Sequence, residues 1–323
     1  MLRSTRKTNQ KTNVKKYLLR LALVALFAVT LSFDTPPETI SPYASGAPVT
    51  VEVRSDDDVK RFMTAASDSA LTLLNGNLWM LPAGFARDKE ERIDRFVAYA
   101  RQLMPHVITL QEIWTKNQVR YLKKRFPEYD VFTSGRRGPF NKGGLVTLTR
   151  IPCDSSAFSP FETSRAASRL ERNARKGYLT VRLNAAAFKA SIINTHLYAP
   201  TKEKEQGIAE AQFETLKALN PQGDYFIVGD LNLAQKAFEQ MNGSFFLTEK
   251  DTAHTVEPAI KYRDQRDTNS YKVDRLLMPQ AYAHRFALHS MLIREPVVSD
   301  HYLLAYRIER RPLLPQLAGR ISE

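Results

Sequence analysis

Cysteine is nearly absent: Cys153 stands alone among 323 residues. That excludes an intrachain disulfide and any zinc site built on thiolates, and next to Pro152 the residue reads as a small buried hydrophobe. Long apolar runs are scarce too: Leu21 to Leu31 is short of the roughly 20 residues a crossing helix needs, and only Leu18 and Leu19, around Arg20, could extend it. No Gly-x-Ser-x-Gly elbow occurs, so the nucleophile turn of a serine hydrolase is lacking. No His-Glu-x-x-His occurs either, and a zinc hydrolase would have to rest on His196, His301 and scattered carboxylates. Internal repeats and low-complexity tracts are likewise absent, which removes solenoids from consideration.

Acidic residues are missing from residues 1–20, where seven Lys and Arg lie. They account for much of the formal net charge of +13, so the body of the chain is only mildly basic and its pI carries no argument for nucleic acid. A basic stretch followed by a short apolar run has the layout of an export signal. Residues 1–33 are therefore expected to be a signal peptide or an N-terminal membrane anchor, and the protein to be exported (periplasmic or secreted). Residues 34–67, with Pro36, Pro37, Pro42 and Pro48, read as a linker. Within it, Asp56-Asp57-Asp58 opens a short helix. One α/β domain is expected over residues 68–310 and a tail over 311–323.

Inside that domain, short β-branched and aromatic runs keep ending on polar side chains. The clearest is Tyr225 to Asn232, an apolar strand that stops on Gly229, Asp230 and Asn232. On an extended chain Asp230 and Asn232 share a face, and Gly229 lets the backbone approach what they hold. Leu71 to Trp79 ends on Asn77, Val107 to Glu112 on Glu112, and Phe188 to Leu197 on His196. Lys272 to Met278 carries Asp274, and Ser299-Asp300-His301 leads into a strand over Tyr302 to Ile308. Gly177 to Leu183 reads as the antiparallel neighbour of 188–197. Helical spacing marks Asp88 to Leu103, Gln118 to Phe126 and Glu203 to Leu219, and strands are expected over Tyr129 to Ser134 and Gly143 to Arg150. A single strand-end carboxylate or imidazole is ordinarily just solvated. Six such endings in one domain point to one crevice, because the loops at the strand ends of a layered α/β domain converge.

Glu112, Asp230, Asn77, Asn232 and Asp300 are oxygen donors. Hard oxygen sites suit Mg²⁺, with Mn²⁺ as the substitute. Two imidazoles in the same crevice supply a base and a hydrogen-bond donor. Together these describe phosphoester hydrolysis.

In their order along the chain, Asn77, Gln111-Glu112, Thr195-His196, Gly229-Asp230-Leu231-Asn232, Val273-Asp274 and Ser299-Asp300-His301 resemble the motif series of the endonuclease/exonuclease/phosphatase superfamily. The resemblance covers roughly residues 68–310. It implies an α/β four-layer sandwich, two facing mixed β-sheets with helices on the outer faces. It also implies roles: Glu112 as principal Mg²⁺ ligand with Asn77 beside it and Asp300 supporting; His301 as general base oriented by Asp274; Asp230 positioning the nucleophile or assisting proton transfer; Asn232 and His196 on the phosphoryl oxygens.

Asn77 to Pro82, Leu110 to Trp114, Asn141 to Pro152 and Lys176-Gly177 are similar to the neutral sphingomyelinase branch, and place Lys176 among the substrate-binding residues. The implied substrate is a phospholipid headgroup met at a membrane surface by a monomer, with a nuclease or a silent lipid-binding relative as alternatives. The chain departs from that branch in lacking an aromatic hairpin between Asp274 and Asp300. Of the basic stretches, Arg165 to Lys176 reads as a solvated helix face or a cationic rim to the crevice. His106, His254, His284 and His289 read as structural.

Overall fold

The computed structural model describes residues 56–64, 70–81, 86–162, 164–185, 188–200, 205–248, 253–264 and 266–311. The basic leader, most of the linker and nearly all of the tail expected from the sequence lie outside them. Among the described residues no helix is long and apolar enough to cross a membrane.

Strands that read as continuous apolar runs lie at the middle of two sheets, covered on both faces. In the first sheet β1 (Ala70–Asn77) pairs in parallel with β2 (Val107–Gln111). Around this pair lie β3 (Asp130–Thr133), β6 (Val146–Thr149), β13 (Phe286–Ile293) and β14 (Leu303–Arg310), in the order β13-β14-β1-β2-β6-β3. A small hairpin, β4 (Arg136–Arg137) with β5 (Phe140–Asn141), follows β3. In the second sheet β9 (Lys189–His196) runs parallel to β10 (Asp224–Asp230). Its remaining strands are β7 (Cys153–Pro160), β8 (Gly177–Asn184), β11 (Phe246–Leu247) and β12 (Asp274–Pro279), giving the order β11-β12-β10-β9-β8-β7. As expected, β8 and β9 are antiparallel neighbours.

Alternation along the strands sorts side chains into separate cores. Leu71 and Leu73 of β1 face Val181, Ile192, Phe226, Val228 and Leu276 of the second sheet. Leu74, Ile108 and Leu148 point the other way, onto α1 (Asp56–Thr64), α2 (Lys89–Leu103) and α3 (Lys116–Arg125). On the far side Ile193, Ile227 and Leu277 pack on α5 (Gln206–Lys217) and α6 (Gln235–Asn242), while α4 (Arg169–Ala174) is a short exposed helix. This is the expected four-layer α/β sandwich. The acidic run in the linker stretch does open a helix, and Val59 and Met63 of α1 are buried in the outer core of the first sheet.

The elements that sequence patterning misses lie at the margins. β7 and β13 are edge strands; β7 is largely exposed and has no apolar alternation to read. Cys153, at the start of β7, is half-buried rather than buried, its thiol pushed up to about 11 by burial.

His106 ties β1 to the turn before β2. Its Nδ1 accepts the Thr72 amide at 3.1 Å, and its own amide donates to Thr72 Oγ1 at 3.1 Å. Nδ1 can accept only when unprotonated, and burial, then the Arg150 charge, lower the imidazole from 6.5 to about 4. The unfolded chain therefore takes up a proton as pH falls below about 6.5, and the native state does not until about 4. Stability should decline across that window. In His106→Gln the same acid unfolding series should show a shallower slope; an unchanged slope would assign the acid sensitivity elsewhere.

Candidate active site

Between the sheets the core becomes polar toward one end. Beyond Leu73, Val107, Ile192 and Val228 comes a layer of buried amides and hydroxyls. Gln111 Nε2 donates to Asn75 Oδ1 at 3.0 Å and, across the sandwich, to Asn194 Oδ1 at 2.7 Å. Asn194 Nδ2 donates back to the carbonyls of Leu110 (3.1 Å) and Val146 (3.0 Å). Sequence reading passed over Asn75 and Asn194, although both occupy inward positions two residues before Asn77 and His196. Buried polar side chains in that pattern need partners, and here they brace each other across the two sheets.

The next inward positions form the crevice. Strand register sets Asp230 beside His196 on one side and Asp274 on the other. Asp274 begins its strand rather than ending it. Because β12 is antiparallel to β10, its start lies at the same margin as the end of β10; the same logic places Asp300 and His301, just before β14, beside the end of β1. Gly229 serves a purpose other than ligand access: at φ 147°, a Cβ there would sit 1.9 Å from the Thr195 carbonyl oxygen of the neighbouring strand. Asn232 is not on an extended chain with Asp230. It adopts φ 48°, its amide donates to Asp230 Oδ1 at 3.0 Å, and its Nδ2 donates to the Leu197 carbonyl at 3.2 Å.

Asp230 Oδ2 is the hub. Asn77 Nδ2 donates to it at 3.0 Å, His196 Nε2 lies 3.5 Å away and His301 Nε2 3.9 Å away. Asn77 Nδ2 also reaches Glu112 Oε1 at 3.2 Å, linking the first sheet's carboxylate to the second sheet's. Trp114 Nε1 is 3.4 Å from Glu112 Oε2, and Asp300 accepts from Ser299 Oγ at 3.0 Å. Lys176 is in the crevice wall but buried, its ammonium on the Leu197 carbonyl at 2.9 Å and the Glu171 carboxylate at 3.2 Å. The rest of the basic run, Arg165, Arg169, Arg172 and Arg175, is exposed, as a solvated face should be.

His301 Nδ1 is 2.7 Å from Asp274 Oδ2. Burial alone would lower this imidazole, but Asp274 first, then Asp230 and Asp300, outweigh it and raise it to about 10. His196 goes the other way: burial, then the charge of Lys176, hold it well below the ordinary imidazole range, so it is neutral. Glu112 is pushed up to about 7 by burial and by Asp300. One histidine is thus paired with a carboxylate and strongly basic, and the other is a neutral donor.

The crevice has a surplus of negative charge. Glu112, Asp230, Asp274 and Asp300 converge, while among the described residues Glu112 has only two long side-chain hydrogen bonds and Asp274 Oδ1 has no hydrogen-bond partner. A divalent cation fits such a donor set. Asp230, Asp274 and His301 offer ligand atoms within 4.8 Å of one another. The short Asp274–His301 hydrogen bond already engages two of those three groups, however. The underpaired carboxylates of Glu112 and Asp300, with Asn77 alongside, are the better oxygen cradle.

The sequence profile of the Endonuclease/Exonuclease/phosphatase family matches residues 74–244, more than half of the chain. No curated protein sequence matches it. Among solved structures it is similar to TDP2 of D. rerio complexed with a single-strand DNA product, at 18% identity over 75% of this chain and 99% of that one, TM-score 0.62. It is also similar to sphingomyelinase C from Streptomyces griseocarneus, at 18% identity over 74% and 99%, TM-score 0.58. Beta toxin from Staphylococcus aureus with bound magnesium ions aligns at 13% identity over 75% and 99%, TM-score 0.59. These likenesses carry the fold; the profile match, which spans Asn77, Glu112, His196, Asp230 and Asn232, carries the family. The chain belongs to the endonuclease/exonuclease/phosphatase family of metal-dependent phosphoester hydrolases.

Proposed function

We propose that the protein is an exported, Mg²⁺-dependent phosphodiesterase that hydrolyses a phospholipid headgroup in the manner of a sphingomyelinase. The observation that carries the chemistry is the His301–Asp274 pair, with its free ring nitrogen turned toward Asp230. His301 Nε2 takes the proton of the attacking water. Asp274 holds the Nδ1 proton in place and stabilises the imidazolium. Asp230, within reach of both imidazoles and of Asn77, orients the water. His196, neutral and buried, has one N–H to offer a non-bridging phosphoryl oxygen, and Asn232 stands beside it. Lys176 contributes positive charge through space rather than by contact, since its ammonium is already bonded. Glu112, Asn77 and Asp300 would hold Mg²⁺, which polarises a phosphoryl oxygen and offsets the charge that builds there.

The phospholipid reading draws support from the branch-like residues around Asn77, Trp114 and Asn141, from the sphingomyelinase C neighbour, and from a body only mildly basic. The TDP2 neighbour favours a second reading, a nuclease. A panel of sphingomyelin, phosphatidylinositol phosphates, single-stranded DNA and an aryl phosphodiester, each with Mg²⁺ and with chelator, separates them. Phosphocholine release that chelator abolishes is the expected result. DNA cleavage that falls steeply with salt, without phosphocholine release, would replace the lipid reading. N-terminal sequencing of the exported protein tests the leader: a sequence starting at Met1 would exclude its removal.

A further inference from the structure

Arg92, on α2, has no part in the chemistry above, yet it is fully buried at 0% exposure. Among the described residues no carboxylate forms an ion pair with it. Its guanidinium instead makes four hydrogen bonds, all to main-chain carbonyls. Nε donates to Arg87 at 2.8 Å, Nη1 to Leu78 at 2.7 Å and to Val298 at 3.0 Å, and Nη2 to Trp79 at 3.0 Å. The rings of Trp79 and Tyr262 flank it, with centroids 5.3 and 5.1 Å away. A buried cation without a carboxylate is a costly core residue, and an apolar side chain of similar volume would avoid the desolvation.

What the cation secures is the relation between two loops. Leu78 and Trp79 form the turn that leaves Asn77, and Trp79 sits at φ 46°, a left-handed conformation unfavourable for a bulky residue. That turn also carries the neighbouring carboxylate's backbone: Leu78 N donates to the Gln111 carbonyl at 3.1 Å and Met80 N to the Glu112 carbonyl at 3.2 Å. Glu112 itself has φ 61°. Val298 belongs to the other loop, immediately before Ser299-Asp300-His301. One Nη1 therefore bonds the Asn77–Glu112 side and the Asp300–His301 side simultaneously. A guanidinium does this with a rigid planar fork, which the flexible ammonium of lysine cannot reproduce.

We infer that Arg92 is a positioning residue: a buried clamp that holds the turn after Asn77, and with it Glu112, at a set distance from the loop bearing Asp300 and His301. The inference rests on the proposed reaction only for its kinetic consequence.

The test uses the full chain carrying Arg92→Met, Arg92→Lys or Arg92→Ala. Phe213→Leu, in the core between the second sheet and its helices, serves as a control for general destabilisation. With an aryl phosphodiester and Mg²⁺, kcat should fall about 10–100-fold in Arg92→Met, a loss of the size that small misplacements cause, with KM little changed. Arg92→Lys should recover only part of it, and millimolar guanidinium should raise kcat of Arg92→Ala where ethylammonium does not. Amide exchange should quicken together over residues 77–81 and 298–301 in Arg92→Met and stay slow there in Phe213→Leu. If Arg92→Met does not fold, Arg92→Lys and the guanidinium response carry the same test. A kcat within twofold of wild type in Arg92→Met, or no joint change in exchange, overturns the clamp. Wild-type protein inert on every phosphodiester would instead refute the proposed function and leave the exchange result to judge the clamp.

Discussion

Alanine at position 301 should lower kcat by about 10²–10⁴-fold, the range that loss of a general base produces, while the protein stays folded and KM changes little. The imidazole is positioned by a 2.7 Å bond to Asp274 on one nitrogen and presents the other 3.9 Å from Asp230. His196 is a far weaker base, since burial and the charge of Lys176 hold its imidazole well below the ordinary range, and it borders Asp230 from the other side. Asp274→Asn should lose less, because the ring remains but its tautomer is no longer enforced. Near-normal turnover in His301→Ala would end the assignment.

A second consequence concerns pH. In the ion-free protein the carboxylates of Asp274, Asp230 and Asp300 keep His301 protonated up to about 10, the wrong form for a base at pH 7. A cation against Glu112 and Asp300 opposes that field, so the proton is lost at lower pH once the ion is bound. The ring titration of His301, followed by NMR, should therefore move down when Mg²⁺ replaces chelator. A titration unmoved by the ion would place the cation elsewhere.

Glu112→Gln should have two effects of opposite sign. Affinity for Mg²⁺, measured by calorimetric titration, should fall by 100-fold or more, since even outer-shell partners of a metal are worth about 10–100-fold, and turnover should fall with it. The ion-free protein should become more stable at neutral and alkaline pH. The wild-type carboxyl is pushed by burial, then by Asp300, from 4.5 up to about 7. Between those values the native state holds a proton that the unfolded chain has released, so wild-type stability declines as pH rises through the window and stays lower above it. A neutral amide escapes that loss. In chelator at pH 8, Glu112→Gln should melt above wild type; with excess Mg²⁺ the order should reverse, because only the carboxylate gains from the ion. A variant that melts below wild type in both buffers would show that Glu112 stabilises the fold by its own hydrogen bonds rather than waiting on a cation.

Legibility differed from residue to residue. Asn77, Glu112, His196 and Asp230 could be found because each interrupts an apolar run at its end, and His301 because it stands just before one, where a polar group is costly without a partner. Asn75 and Asn194 follow the same inward alternation but lie inside the runs, where a lone amide looks like noise. Arg92 offered no signal: on a helix written with Arg95 and Arg101 it reads as one more surface cation, and only the packing of α2 over two loops buries it. The edge strand β7 escaped because, largely exposed, it carries no apolar alternation to read.

Local pattern alone was enough for the alternation of sheet and helix, the apolar centre of each sheet and the chemical type of the site, because burial imposes a period on each strand and an oxygen-rich, thiol-free donor set admits few chemistries. Tertiary structure decided which strands lie side by side and in which direction, and therefore that the beginnings of Asp274's and His301's segments meet the endings of Asn77's and Asp230's. It also decided the protonation of His196, His301 and Glu112. Those values arise from burial and from charges on other strands, and no stretch of neighbouring residues contains that information.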